Sequence, residues 1–238
     1  MDDPLHGRTV LVVDDDPQLL VLVEQMLVGA GARAVLAEDG RAGLRLFYEQ
    51  RPDLVILDIM MPGLDGREVC RRLRELSDVP VLMLTVLNGP EEIAASLGQG
   101  ADDYVTKPFY AEVLLARLRA LLRRAARPSA MNTRLTYDDG YLAIDLDRRR
   151  VRVRGEPVSL TPTEYELLCY LYEHAGRVLT YPQILSHVWG PEFADSTQYV
   201  HVYVHRLRQK LCEDPANPRY LLTEPGVGYR LELHRVGR

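Results

Sequence analysis

The chain has 238 residues, room for two ordinary domains that each bury a core. An apolar share of 47% with a charged share of 26% excludes a disordered or fibrous polymer. The formal charge of −5 excludes a protein that is basic in bulk, and no run approaches the ~18 apolar residues of a membrane helix. No basic-then-apolar leader is visible, and Cys70, Cys169 and Cys212 lie far apart without a metal-ligand spacing. The expectation is therefore a cytoplasmic protein with buried or incidental thiols. Up to Arg127 there are 15 Lys and Arg against 20 Asp and Glu, and beyond it 14 against 14. Any DNA contact in the second half must come from a local patch.

Strand and helix signals alternate in the first half. Val10 to Val13 is a continuous apolar run, and Leu19, Leu20, Val23, Met26 and Leu27 then repeat at helical spacing up to Gly29-Ala30-Gly31. Ala34 to Ala37 is a short second strand, followed by a helix bearing Ala42, Leu44, Leu46 and Phe47. Leu54 to Leu57 runs straight into Asp58, and Pro62-Gly63 turns the chain. Gly66 to Leu76 is a helix with Val69, Cys70 and Leu73 inward and its arginines outward. Strand Val81 to Leu84, a helix near Glu91 to Leu97, strand Tyr104-Val105 and a helix over Tyr110 to Arg124 complete five units. The fold class predicted is α/β, a doubly wound five-stranded parallel sheet.

Polar groups gather where these strands end. Asp14-Asp15-Asp16 follows the first strand, Asp58 the third, Thr85 the fourth and Lys107-Pro108 the fifth. Open α/β sheets place ligand crevices at that edge. Converging acids repel one another unless a hard cation joins them, and Mg²⁺ prefers oxygen ligands. Lys107 adds a point charge and Thr85 a hydroxyl, both suited to phosphoryl oxygens. Asp14 to Asp16 before Pro17 also reads as a plain helix cap.

Ala125 to Arg134 lacks an apolar period and reads as a linker. From Leu135 to Leu160 apolar and polar residues alternate in short pieces, as in a small antiparallel sheet. Thr161, Pro162 and Glu164 form a capping box ahead of a helix carrying Leu168, Leu171 and Tyr172. Thr180 caps a second helix, and a third runs from about Ser196 to Leu211. Two strands, Leu221 to Thr223 and Tyr229 to Leu231, close the chain as a hairpin. Three helices and a hairpin predict a winged helix-turn-helix, an α+β domain. On the third helix Val200, Val204, Leu207 and Leu211 face inward. Gln198, Tyr199, His201, His205, Arg206 and Arg208 are the candidate DNA contacts, with His201 and Arg206 assigned to bases and Arg208 to phosphate.

Asp102-Asp103-Tyr104-Val105-Thr106-Lys107-Pro108-Phe109, His205 to Leu211 and Gly226-Val227-Gly228-Tyr229-Arg230 carry a resemblance to the OmpR/PhoB family of two-component response regulators. The resemblance implies a flavodoxin-like receiver over 1–124, a linker over 125–134 and a winged-helix DNA-binding domain over 135–238. It implies phosphorylation of Asp58 by a sensor histidine kinase. Asp14, Asp15, Asp58 and the carbonyl of Met60 would hold Mg²⁺, with Asp15 a direct ligand. Thr85 and Lys107 would bind the phosphoryl group, and Tyr104 would be the rotating switch. Implied partners are promoter DNA with tandem half-sites, RNA polymerase and a second copy of the chain on phosphorylation, with no membrane. The tract Val188 to Glu192 and the stretch Pro218 to Gly228 resemble KdpE-type members.

The departures are specific. Ile93 and Val113 replace an ionic pair usual at the family's dimer contact, leaving Asp102, Asp103, Arg117, Arg119 and Arg124 for interchain pairs. Val86 follows Thr85, where a small residue is usual, and Pro225 occupies a wing position often held by arginine. Met60 and Leu87 flank the acceptor without a group to orient water, so a long phosphorylated lifetime is expected. A haloacid-dehalogenase-like phosphohydrolase would need a second Asp where Met60 stands. A phosphorylation-independent regulator would not need the intact acid, hydroxyl and lysine set.

Overall fold

A computed structural model describes residues 3–86, 100–126, 136–146, 148–193, 195–214 and 216–234. The predicted helix over Glu91 to Leu97, with Ile93, lies outside them, as do Leu87 and most of the predicted linker. The chain divides into two compact units, Met1–Ala125 and Ala126–Arg238. Element numbers below run over the described residues.

The first unit contains β1 (Thr9–Val13), α1 (Pro17–Gly29), β2 (Arg33–Ala37), α2 (Gly40–Gln50), β3 (Leu54–Asp58), α3 (Gly66–Leu76), β4 (Val81–Thr85), β5 (Asp103–Thr106) and α4 (Ala111–Ala126). The strands pair in parallel in the order β2-β1-β3-β4-β5. Alternate residues of each strand enter two different cores. Val10, Val12, Leu54, Ile56, Leu82 and Leu84 meet α1 and α4, through Val23, Leu27, Leu114 and Leu118. Leu11, Val13, Val55, Leu57, Val81 and Met83 meet Val69, Cys70 and Leu73 of α3. Burial on both faces explains why β3 and β4 read as unbroken apolar runs. Each such side chain contributes about 1.5–3 kcal/mol. Leu5, ahead of the first strand, is also fully buried in the first core, a contact that the sequence pattern does not signal. α4 continues two residues beyond the predicted helix, into the stretch read as linker.

The strand order reverses between β1 and β3, so the chain connections leave a crevice at their carboxyl ends. Gly66 closes the loop beneath it. A Cβ at that position would lie 1.9 Å from the Asp58 carbonyl oxygen, so only glycine lets the start of α3 pass.

In the second unit β6 (Thr136–Asp138), β7 (Leu142–Asp145), β8 (Arg150–Val153) and β9 (Glu156–Val158) form an antiparallel four-stranded sheet. There follow α5 (Pro162–Glu173), β10 (Leu179–Thr180), α6 (Tyr181–Val188), α7 (Thr197–Lys210), β11 (Leu221–Glu224) and β12 (Gly228–Leu231). Thr161 with Glu164 and Thr180 with Gln183 make capping boxes at α5 and α6. β12 sits between β10 and β11, which turns the closing hairpin into a three-stranded sheet. Trp189, Phe193, Tyr199 and Tyr203 pack ring against ring in the core between α6 and α7. Asp139 ties the β6–β7 turn to the chain's end: its carboxylate accepts from the Tyr220 hydroxyl at 2.7 Å and the Tyr137 hydroxyl at 3.0 Å.

Candidate functional site

Four strand ends build the crevice of the first unit. Asp14 follows β1 and is fully buried, while its neighbour Asp15 is exposed. Asp16 turns away and caps α1, accepting from the amides of Gln18 and Leu19. The cap reading of the triplet is thus carried by Asp16. Asp58 is the last residue of β3 and is 4% exposed. Thr85, last in β4, is buried, and its carbonyl accepts from the Lys107 amide at 2.6 Å.

The Lys107 ammonium joins the acids, with Nζ 2.6 Å from Asp58 Oδ1 and 2.8 Å from Asp14 Oδ2. Burial pushes the Asp58 carboxyl above the ordinary carboxylate value, Asp14 adds to that, and Lys107 and the Met60 amide oppose it. Burial pulls the Lys107 ammonium down, but the hydrogen bonds to Asp14 and Asp58 outweigh it and hold the ammonium above its ordinary value. One carboxylate oxygen from each of Asp14, Asp15 and Asp58 lies within 4.8 Å of the others. Three acids against one ammonium leave surplus negative charge. Their oxygens suit a hard divalent cation, with Asp15 on the solvent side.

Around this centre the other expected residues divide. Tyr104 is half-buried on β5, packs against the α3-side core, and has the Arg117 guanidinium 5.7 Å from its ring centre. Met60 and Val86 project into solvent beside the crevice. Val113 and Tyr110 are exposed and line a 270 Å³ groove with Tyr104, Thr106, Phe109 and Arg117.

The expected interchain ions are already engaged within one chain. Asp102 and Asp103 are fully buried, paired with Arg74 and Arg117 respectively. Arg119 grips Asp3 through both its Nε and an Nη nitrogen, and Arg124 is buried. These side chains do not stand as free surface charges, a correction to the expectation. The physical reason is desolvation: a carboxylate at a sheet edge under a helix must be paired at once. Arg74, one of the arginines expected to face outward, is the partner that the sequence reading misses. It sits in the last turn of α3 and also donates to the Gly100 carbonyl at 2.7 Å. Its place in the last turn of a helix, where a cation is favoured, is the available signal.

On α7 the exposed stripe carries His201, His205 and Gln209, with Gln198 and Arg208 half-buried. Two of the residues assigned to DNA face inward instead. Tyr199 is fully buried between Trp189 and Phe193. Arg206 is 6% exposed, with Nη1 3.9 Å from Glu164 and its guanidinium 4.8 Å from the Tyr203 ring centre. The helix packs two adjacent stripes, Val200-Val204-Leu207 and Tyr199-Tyr203-Arg206, because it lies against both α5 and α6. A single apolar stripe in the sequence could not show the second. Arg208 donates to the Leu221 carbonyl at 3.0 Å and the Thr223 hydroxyl at 2.8 Å, so it fastens α7 to the hairpin. His201 holds its exposed place with Nδ1 2.9 Å from the Tyr229 hydroxyl.

Comparison with known proteins accounts for both units. Residues 10–119 match the response regulator receiver domain family, and residues 155–231 match the family of transcriptional regulatory proteins defined by their C-terminal domain. Sensory transduction protein RegX3 of Mycolicibacterium smegmatis is 42% identical over 229 residues, covering 94% of this chain and 99% of that protein. The response regulator DrrB, described as a Thermotoga maritima OmpR/PhoB homologue, is 34% identical over 95% of this chain and 99% of its own, with a TM-score of 0.51. A mutant form of RitR is 27% identical over 96% of this chain and 100% of its own, with a TM-score of 0.76. Among the described residues no helix is long and apolar enough to cross a membrane. A parallel-sheet receiver followed by a winged helix, with a full-length relative at this identity, makes the chain a two-component response regulator that acts as a transcription regulator, a member of the OmpR/PhoB family.

Proposed function

We propose that Asp58 accepts a phosphoryl group from a sensor histidine kinase, and that this controls promoter binding by the second unit. One observation carries the reading: a buried carboxylate at a strand end, with an ammonium 2.6 Å away and two further acids beside it. In this reading residues 1–124 are the phosphoacceptor domain, 125–134 the linker and 135–238 the DNA-binding domain.

An Asp58 oxygen attacks phosphorus, the bond to the donor histidine nitrogen breaks, and that nitrogen retains the electron pair. Asp14, Asp15, Asp58 and the Met60 carbonyl are the groups that would hold Mg²⁺. Bound there, the cation supplies charge neutralisation for the phosphoryl oxygens. Lys107 leaves its pairing with Asp58 to meet the incoming phosphoryl oxygens, and the Thr85 hydroxyl donates to them. Tyr104 then turns toward the space that Thr85 vacates. The altered face, with Val113 and Tyr110 exposed at its groove, favours a homodimer that brings two winged helices to tandem half-sites. His201 and His205 are the side chains of α7 best exposed for base edges. Bound at a promoter in the cytoplasm, the dimer acts on RNA polymerase. External phosphate esters are not substrates in this reading, because Met60 offers no acid or base to a second substrate.

The test is the intact mass of the chain after incubation with a small-molecule phosphodonor and Mg²⁺. Wild type should gain one phosphoryl group, and Asp58→Asn should gain none. Equal labelling of Asp58→Asn would place the acceptor elsewhere.

A further inference from the structure

His201 and Tyr229 meet where α7 crosses the closing hairpin. The imidazole is exposed on the helix, whereas Tyr229 is 5% exposed on β12. Tyr181 packs edge-on against both rings, 5.1 Å from the imidazole centre and 5.9 Å from the phenol centre. Arg208, held by the Leu221 carbonyl and the Thr223 hydroxyl, fixes the hairpin behind the pair.

A buried hydroxyl needs an acceptor for its proton. Among the described residues, His201 Nδ1 is the hydrogen-bond partner of the Tyr229 hydroxyl, at 2.9 Å. Burial pushes the phenol above its ordinary value, so it stays protonated at neutral pH. The phenol therefore donates and Nδ1 accepts. In the neutral imidazole the one ring proton must then sit on Nε2.

We infer that Tyr229 is a positioning residue for sequence recognition: it locks His201 as an Nε2–H donor facing the major groove. A lone donor finds an acceptor on the major-groove edge of guanine (O6 and N7), thymine (O4) or adenine (N7), and none on cytosine, which presents only its amino group. The inference rests on the reading of α7 as the DNA-contacting helix. It extends that reading by tying the hairpin to base choice through one side chain.

Two measurements on the full chain test it. Imidazole ¹⁵N spectra of the free protein should show His201 protonated at Nε2, with a mixture of tautomers in Tyr229→Phe. Protonation at Nδ1 in the wild type would overturn the inference. Selection from a duplex library with a randomised core should then be run on wild type, His201→Ala and Tyr229→Phe. His201→Ala should flatten one position that discriminates against cytosine by roughly tenfold, and Tyr229→Phe should flatten the same position while sparing the others. If His201→Ala flattens a position that Tyr229→Phe leaves intact, or if that position selects cytosine, the inference fails alone. If His201→Ala flattens nothing, the DNA-contact reading of this face fails and the inference falls with it.

Discussion

Charge is buried in both units, but to opposite ends. In the crevice Asp58, Asp14 and Lys107 are held together at strand ends that open to solvent through Asp15. On α7 the buried charge is Arg206, facing Glu164 inside the domain, while His201, His205 and Gln209 on the same helix are exposed. Acids on one strand-end rim repel, and the Asp58 carboxyl is pushed up by its burial, which suits that centre to the cation and phosphoryl group proposed for it. The Arg206–Glu164 pair instead closes a core, and Lys210 adds a second cation to Glu164 at 2.6 Å. A buried ion thus signals chemistry when it is uncompensated and faces an opening, and signals architecture when its partners enclose it.

Backbone closeness gives the sharpest way to separate the two units. Gly66→Ala places a Cβ against the Asp58 carbonyl, and Gly228→Ala places one 1.9 Å from the Leu179 carbonyl oxygen. Each should cost about 3 kcal/mol or more in its own unit. Hydrogen exchange should lose protection in the first unit for Gly66→Ala and in the second for Gly228→Ala. Loss of protection in the other unit instead would contradict the assignment of each close approach to its own unit.

Arg206 tests the architectural side of the comparison. Arg206→Ala should lower stability of the second unit by about 2–3 kcal/mol, because Glu164 then faces Lys210 as its one cation among the described residues. Its binding to random and selected DNA should fall by the same factor. A change of base preference with unchanged denaturant midpoint would return Arg206 to the DNA surface.

Two carboxylates sharpen the contrast through pH. Burial raises Asp139, but the amides of Leu142 and Tyr141 and the hydroxyls of Tyr220 and Tyr137 outweigh it, and its pKa is lowered from 3.8 to about 2. Its stabilisation, about 2 kcal/mol, is present above the ordinary carboxylate range and is lost as pH falls toward the folded value. Asp58 has the opposite sign. Its folded value is raised, so its contribution is present in acid and lost as pH rises through that value. At neutral pH Asp139→Asn should therefore lower the melting point of the second unit, whereas Asp58→Asn should raise that of the first. A lower melting point for Asp58→Asn would mean that Lys107 fully compensates the buried charge.

How far the sequence can be read follows the same division. Strand ends are legible because buried strands are continuous apolar runs, and an acid, hydroxyl or lysine ending each run stands out. Asp14, Asp58, Thr85 and Lys107 converge for that reason. Helix faces are less legible, since one stripe of Val and Leu hides a second stripe of aromatic and charged residues. Tyr199 and Arg206 are misplaced by the sequence pattern on that account. Leu5 and Asp3 escape it because their partners are distant in sequence and their own neighbourhood carries no periodicity. Arg74 escapes it because the helical period of α3 shows only its apolar face, while its partner Asp102 lies far along the chain. Asp102 and Asp103 are expected to pair between chains on the resemblance alone, and two adjacent acids carry no sign of Arg74 and Arg117, which meet them within the chain.

The proposed control runs from the crevice of the first unit to the DNA surface of the second. The most direct measurement is the affinity of the full chain for a duplex recovered by library selection, before and after treatment with a small-molecule phosphodonor and Mg²⁺. Wild type should bind more tightly once phosphorylated, and Asp58→Asn should bind with one affinity under both conditions. Equal affinity of phosphorylated and unphosphorylated wild type, with stoichiometric label on Asp58, would contradict the account.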